Sequence, residues 1–240
     1  MDLSISYYSA KGKRQNNEDA VSVLEGSRNV LAIVADGLGG HEDGEVASNQ
    51  AVVTMNRVLQ PQALDEDALI DGIQLASQEI CQLRDPQNTM RTTVAALWLN
   101  DYSAIAANVG DSRIYQFRDG QIIYQSVDHS VAQMAVLVGE LEKESIRTSK
   151  DRNKLIRVLG DETVPKVDSQ ILSIRAGDRF LLCSDGFWEP VTEDMMCSTL
   201  AACETAPQWL TAMRDLVEKA NKPNQDNHTA IAIVINNVLE

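Results

Sequence analysis

Five short islands scattered over the 240-residue chain each set an aspartate at the edge of a segment that reads as strand or turn. They are Arg14-Gln-Asn-Asn-Glu-Asp19, Asp36-Gly-Leu-Gly-Gly-His41, Gly110-Asp-Ser-Arg113, Ser184-Asp-Gly186 and Asp226-Asn227. Ala20 and Val21 follow Asp19, the apolar runs 30–35 and 180–183 precede Asp36 and Asp185, and 229–235 follows Asp226. Crowded carboxylates are costly to bury, so acids that converge at strand ends share a cation. Hard divalent ions such as Mg²⁺ take oxygen ligands and keep several waters. The islands therefore predict a metal site assembled from distant segments.

The length suits one domain, 1–240, with ample core. Acidic residues outnumber basic ones 35 to 21, for a net charge of -14. That balance argues against nucleic acid as a partner, because phosphate backbones are bound through an excess of Lys and Arg. A metal site uses only a handful of these acids, so most of the surplus lies on the surface. Cys81, Cys183, Cys197 and Cys203 form no C-x-x-C pair, and no histidine stands at zinc-finger spacing from them. Cys183, inside an apolar run, reads as a reduced core residue. The start Met1-Asp2-Leu3-Ser4 is not a basic segment followed by an apolar one. No run reaches the roughly 18 apolar residues of a membrane helix. The expectation is a cytoplasmic protein with no membrane partner.

Blocks of strands alternate with blocks of helices. Strands are expected at 3–9, 20–24 and 30–35, the last buried on both faces. Val46, Ala47, Ala51, Val52, Met55 and Leu59 make a helical stripe over 45–59, closed by Pro61. Leu69, Ile73, Ala76 and Ile80 make another over 65–84, with Asp65 as N-cap and Asp85-Pro86 as the stop. Strands follow at 92–99, 103–109, 114–118 and 121–125, with hairpin turns at Asn100-Asp101 and Asp119-Gly120. A polar, helix-prone insert occupies about 130–152. Strands resume at 167–174 and 179–183 around a turn at 176–178. Helices at 192–202 and 207–221 precede a last strand at 229–235. This pattern predicts an α+β fold, two mainly antiparallel sheets packed together and flanked by helices.

In order and wording the islands resemble the metal-dependent protein phosphatases of type 2C, the PPM family, in their compact bacterial form. The match runs from Arg14 to Asp226. The resemblance implies a four-layer α-β-β-α sandwich with two Mn²⁺ or Mg²⁺ ions between the sheets and a third, weaker one. It implies hydrolysis of phosphoserine and phosphothreonine on proteins by a water or hydroxide bridging the two ions. Asp36 then bridges the metals, with the Gly37 carbonyl on one of them. Asp185 and Asp226 hold the first metal; Asp19 and Glu18 serve the second. Asp111, with Glu189, belongs to the third site. Arg14 binds the phosphate, for which its planar fork is suited. His41 is the general acid, since an imidazole titrates near neutrality. His129 has a structural or insert-related place, and His228 is a loop residue. The insert is the family's variable flap. The partners implied are phosphorylated proteins made by an opposing serine/threonine kinase, met by a monomer.

Four residues depart from the pattern the resemblance implies: Arg91 and Ile156 stand in place of a glycine and a Ser/Thr, and Pro223 and Asn224 in place of glycines. A rival reading is a regulatory domain of the same fold that binds phosphoproteins with weak or no catalysis; loss of metal ligands is its mark, and here all are present. A dinucleotide loop at Gly37-Leu-Gly-Gly-His-Glu42 is rejected, because Glu42 stands where that motif needs glycine and Asp36 repels a pyrophosphate.

Overall fold

The computed structural model describes residues 1–39, 43–59, 65–84, 89–220 and 222–238. Three strands lead: β1 (Asp2–Ala10), β2 (Asp19–Glu25) and β3 (Asn29–Leu38). Helices α1 (Asp43–Leu59) and α2 (Glu66–Leu83) follow, and Asp65 caps α2 by accepting from the Asp67 N–H. Next come β4 (Arg91–Thr92), β5 (Val94–Asn100), β6 (Ser103–Val109), β7 (Arg113–Arg118) and β8 (Gln121–Gln125). The insert holds α3 (Val131–Leu137) and a 3₁₀ turn, Lys143–Thr148. The chain closes with β9 (Asp168–Ser173), β10 (Arg179–Cys183), α4 (Asp185–Trp188), α5 (Glu193–Leu200), α6 (Ala206–Ala220) and β11 (His228–Asn237). Pro61 and Asp85-Pro86, the expected helix stops, lie outside the described residues.

One sheet runs β1-β11-β10-β7-β8 and the other β2-β3-β5-β6-β9, with β4 paired to the end of β3. All pairings are antiparallel. Strand parity builds the layers, since alternate side chains face opposite ways. In β3, Leu31, Ile33 and Ala35 pack with Met55, Leu59, Leu69 and Ile73 of α1 and α2. Its Ala32 and Val34 face inward, where Leu97 and Ala106 meet Phe180, Leu182, Ile231 and Ile233 of the other sheet. The opposite faces, Leu181, Cys183, Ala230 and Ala232, pack on Met196, Trp209, Met213 and Val217 of α5 and α6. The result is the expected α-β-β-α sandwich.

Two local readings change. The strand expected at 92–99 breaks at Thr93, whose N–H donates to the Asp36 carbonyl (2.9 Å) and whose hydroxyl accepts from the Asp36 N–H (3.0 Å). His228 is no loop residue. It is buried at the start of β11, with Nδ1 3.1 Å from the Tyr8 hydroxyl and its ring edge-on to Tyr8.

Candidate metal centre

Each candidate acid is set by a strand end. Asp19 opens β2 and lies directly opposite Asp36 in the β2–β3 register. Like charges facing each other across a ladder repel. Asp111 follows β6 where the chain crosses to β7 in the other sheet. Asp185 follows β10, and Asp226 lies two residues before β11. Both sheets therefore send acids to one end of the sandwich.

There Arg14, Glu18, Asp36, Gly37, Asp111, Asp185 and Asp226 line one cavity of about 920 Å³. Asp19 is buried and does not line it. Asn153 and Leu155, at the exit of the insert, form part of the wall. His41 lies outside the described residues.

Close backbone approach brings these groups together. A Cβ on Gly37 would fall 2.2 Å from the Gly44 carbonyl oxygen, so only glycine fits there. A Cβ on Gly186 would fall 2.0 Å from the Asn227 carbonyl, which lets the Asp185 turn sit against the Asp226 segment. Asn227 ties this segment to the first island. Its side chain accepts from the Glu18 N–H (2.8 Å) and donates to the carbonyls of Lys11 and Asn16 (2.9 Å each).

The electrostatics are those of a site short of positive charge. Burial pushes Asp19 up to about 7, against hydrogen bonds that favour its ionised form; the charges of Asp226 and Glu18 add to the rise. Burial also lifts Asp111 to about 7, with Asp128 raising it further and Arg113 opposing. Asp36 is raised well above the ordinary range, first by burial and then by Asp19, Asp185, Asp111 and Asp226. Asp185 is raised likewise, by burial and then by Asp111 and Asp226. Asp36 and Asp185 keep some surface on the cavity while dense protein encloses the rest. Glu18 rises chiefly through burial.

Does this set fit divalent cations? Ser184 donates to Oδ2 of Asp19 (2.8 Å), but its buried Oδ1 has no hydrogen-bond partner among the described residues. Orphaned buried carboxylate oxygens are rare and call for an ion or water. The donors are all oxygens, which suits Mg²⁺ or Mn²⁺. Among the described residues no three acids close into a finished ligand cage. They border an open cavity instead, which agrees with hard cations that retain waters. The residues fit.

Arg14 sits at this cavity with Nη2 donating to Asp226 (2.6 Å). Glu189 does not line it: Arg152 of the insert and Lys222 hold its two oxygens, at 2.5 and 3.0 Å. His129 is structural. Its backbone N–H donates to the Gly110 carbonyl (2.8 Å), and its Nδ1 accepts from the Gly110 N–H (3.1 Å), holding the crossing before Asp111. Several supporting residues escaped sequence reasoning. Ser184 holds Asp19 as above; Thr92 donates to the Asp36 carbonyl (2.9 Å); and the Trp188 Nε1–H donates to the Asp111 carbonyl (2.9 Å). Of these only Ser184 stood in an island, with no role of its own assigned to it.

The chain is 31% identical over 245 residues to the serine/threonine phosphatase stp of Listeria welshimeri, covering 95% of this chain and 93% of the relative. It superposes on the S. agalactiae serine/threonine phosphatase with a TM-score of 0.89 at 25% identity, covering 98% and 100% of the two chains. With the catalytic domain of the phosphatase PstP in complex with two manganese ions the TM-score is 0.80 at 28% identity, covering 97% and 99%. The family described as Protein phosphatase 2C matches residues 8–225, a span that includes four of the five aspartate islands. With the acids of both sheets gathered at one cavity, this match places the chain in the protein phosphatase 2C family.

Proposed function

We propose that the chain removes phosphate from phosphoserine and phosphothreonine in proteins, using two Mn²⁺ or Mg²⁺ ions held by Asp19, Asp36, Asp185 and Asp226. The Gly37 carbonyl and Glu18 complete that set, and Asp111 serves a third, weaker ion. The observation that carries this reading is one cavity where acids from both sheets meet Arg14. Bound divalent ions supply Lewis-acid polarisation of the phosphoryl group and acidify water at neutral pH.

The chain's own residues have separable tasks. Asp226 engages Nη2 of Arg14, and the other guanidinium N–H groups, without a partner among the described residues, remain as donors for phosphate oxygens. The same contact keeps Arg14 charged and oriented before substrate arrives. His41, assigned from the sequence, donates the proton to the departing serine or threonine oxygen. Among the described residues the free cysteines lie away from the cavity, which argues against a thiolate nucleophile. The whole chain acts as one catalytic domain and as a monomer, with 130–152 as a flap. Its partners are phosphoproteins, opposed to a serine/threonine kinase. Among the described residues no helix is long and apolar enough to cross a membrane.

The test is hydrolysis of a phosphothreonine peptide with added Mn²⁺ and with excess EDTA. Turnover that requires the metal supports the proposal. Turnover that survives full chelation contradicts it, and metal-dependent binding without turnover favours the regulatory alternative. Arg14→Lys keeps the charge but removes the fork. We expect KM for that peptide to rise about tenfold, the scale of one lost charged hydrogen bond, with metal stoichiometry unchanged. An unchanged KM would place Arg14 off the phosphate.

A further inference from the structure

A second cavity, of about 630 Å³, adjoins the first. Leu38 of β3 lines the metal cavity and pairs across the ladder with Arg91 of β4, which lines the second. Leu155 lines the first and its neighbour Ile156 the second. The two cavities thus border each other at the β3–β4 pair and at the 155–156 peptide.

The lining of the second cavity is rich in cations. On a chain of net charge -14, it is lined, among the described residues, by four cations, Arg84, Arg91, Arg157 and Lys166, and by two acids, Asp161 and Glu162. Asp161 accepts from Nε of Arg91 (2.6 Å) and lies 3.8 Å from Arg84, so one carboxylate serves two guanidinium groups. Arg84 is held further by the Gly160 carbonyl (2.8 Å), and Arg157 by Asp168 (2.8 Å). Arg91 keeps its two terminal nitrogens without a partner among the described residues, and its side chain is 41% exposed. Lys166 is exposed and has no ion-pair partner among the described residues. Cations held in place beside a low-dielectric wall, with donors left over, suit an anionic group.

We propose that this cavity is a docking subsite for a second anionic group on the phosphoprotein substrate, and that Arg91 is its specificity-determining residue. The inference rests on the phosphatase reading of the neighbouring cavity. A substrate whose phosphoresidue enters the metal cavity spans about 3.3–3.6 Å per residue, so a side chain a few positions away reaches over the shared border. The shared chemistry is a carboxylate or a second phosphate. Ile156 and the stems of the arginines give the peptide an apolar edge. The surplus of acid elsewhere on the surface repels such substrates, so the subsite also steers them to the correct face.

The experiment compares phosphothreonine peptides with neutral flanks, with glutamates two to four residues from the phosphothreonine, and with a phosphoserine there instead. The wild type is expected to favour the anionic peptides by about 3- to 10-fold in kcat/KM, mostly through KM, with the advantage shrinking as salt rises. Arg91→Gln and, separately, Lys166→Ala should reduce that preference, and Arg91→Lys should keep part of it. Hydrolysis of p-nitrophenyl phosphate should be unchanged in all three. A preference confined to the doubly phosphorylated peptide identifies phosphate as the source; preference for both anionic peptides identifies any anion. Equal kcat/KM for all peptides in the wild type, or a preference that survives in both Arg91→Gln and Lys166→Ala, overturns the subsite and leaves the phosphatase reading intact. Failure to hydrolyse any substrate overturns the phosphatase reading instead. Fluorescence anisotropy with the dephosphorylated peptides then reads the cavity alone: tighter binding of the acidic peptide, lost in Arg91→Gln, supports the subsite, and equal binding overturns it.

Discussion

Asp36→Ala is expected to lower turnover of a phosphothreonine peptide by about 10³-fold or more, because on the proposed assignment Asp36 would serve both ions and its loss would remove several kcal/mol of charge stabilisation. The fold should survive. Asp36 stands opposite Asp19, and its carboxyl is raised by burial and by four neighbouring acids, so its loss relieves repulsion. The pH dependence has a definite sign. Where folding raises a carboxyl above its unfolded value, the folded state binds more protons, so metal-free stability falls as pH rises through that interval. Asp19 and Asp111 set the window, from the ordinary aspartate value of 3.8 up to about 7. Metal ions bind the ionised native site and restore stability above it. In EDTA at neutral pH, Asp36→Ala should therefore melt at or above the wild-type temperature, and Mn²⁺ should no longer raise it. A variant that melts well below the wild type in EDTA, or still gains from Mn²⁺ as the wild type does, contradicts the shared-ligand role.

Asp128→Ala is expected to cost about 3–5 kcal/mol, the penalty for stranding a buried cation. Arg113 and Asp128 are joined by two bonds, of 2.9 and 2.7 Å, with side chains only 4% and 2% exposed. The Arg113 guanidinium also lies 3.5 Å from the centre of the Trp188 ring, the residue that holds the Asp111 carbonyl. Removing the acid leaves Arg113, among the described residues, with single hydrogen bonds to Tyr115 and Glu193, at 3.1 and 3.3 Å, beside the Trp188 ring. Urea unfolding should show a lower midpoint at an unchanged slope. An apolar replacement of both partners should recover much of the loss. A cost under about 1 kcal/mol would mean that the pair is solvated and that Arg113 needs no partner.

The sequence was most legible where local chemistry and tertiary role agree. The 3.6-residue stripes of α1 and α2 and the Asp65 cap are local signals, and both helices form within two residues of expectation. The Asp119-Gly120 turn is likewise local, and it joins β7 to β8 as read. The acids were legible because each abuts a strand end, which is where a sandwich gathers side chains. Sheet membership was not legible. The 176–178 turn carries the chain from β9 in one sheet to β10 in the other, held by Asp178 bonds to Gln116 and Arg118 that no local pattern reveals. The short α4 went unseen because four residues carry no periodicity. The roles of Ser184, Trp188 and Asn227 depend on partners 40 or more residues away, so only the folded chain discloses them. Glu189 was read as part of the third metal site, yet two cations hold it, because Arg152 arrives from an insert whose path the sequence left open.

The central claim is that acids from both sheets form one centre for two divalent ions. The direct measurement is equilibrium dialysis of the wild type and of Asp36→Ala against micromolar Mn²⁺ at neutral pH, followed by elemental analysis of the retained metal. The account predicts two tightly held ions per wild-type chain, with any third lost at low concentration, and at most one weak ion in the variant. Fewer than two ions in the wild type, or two in the variant, would contradict it.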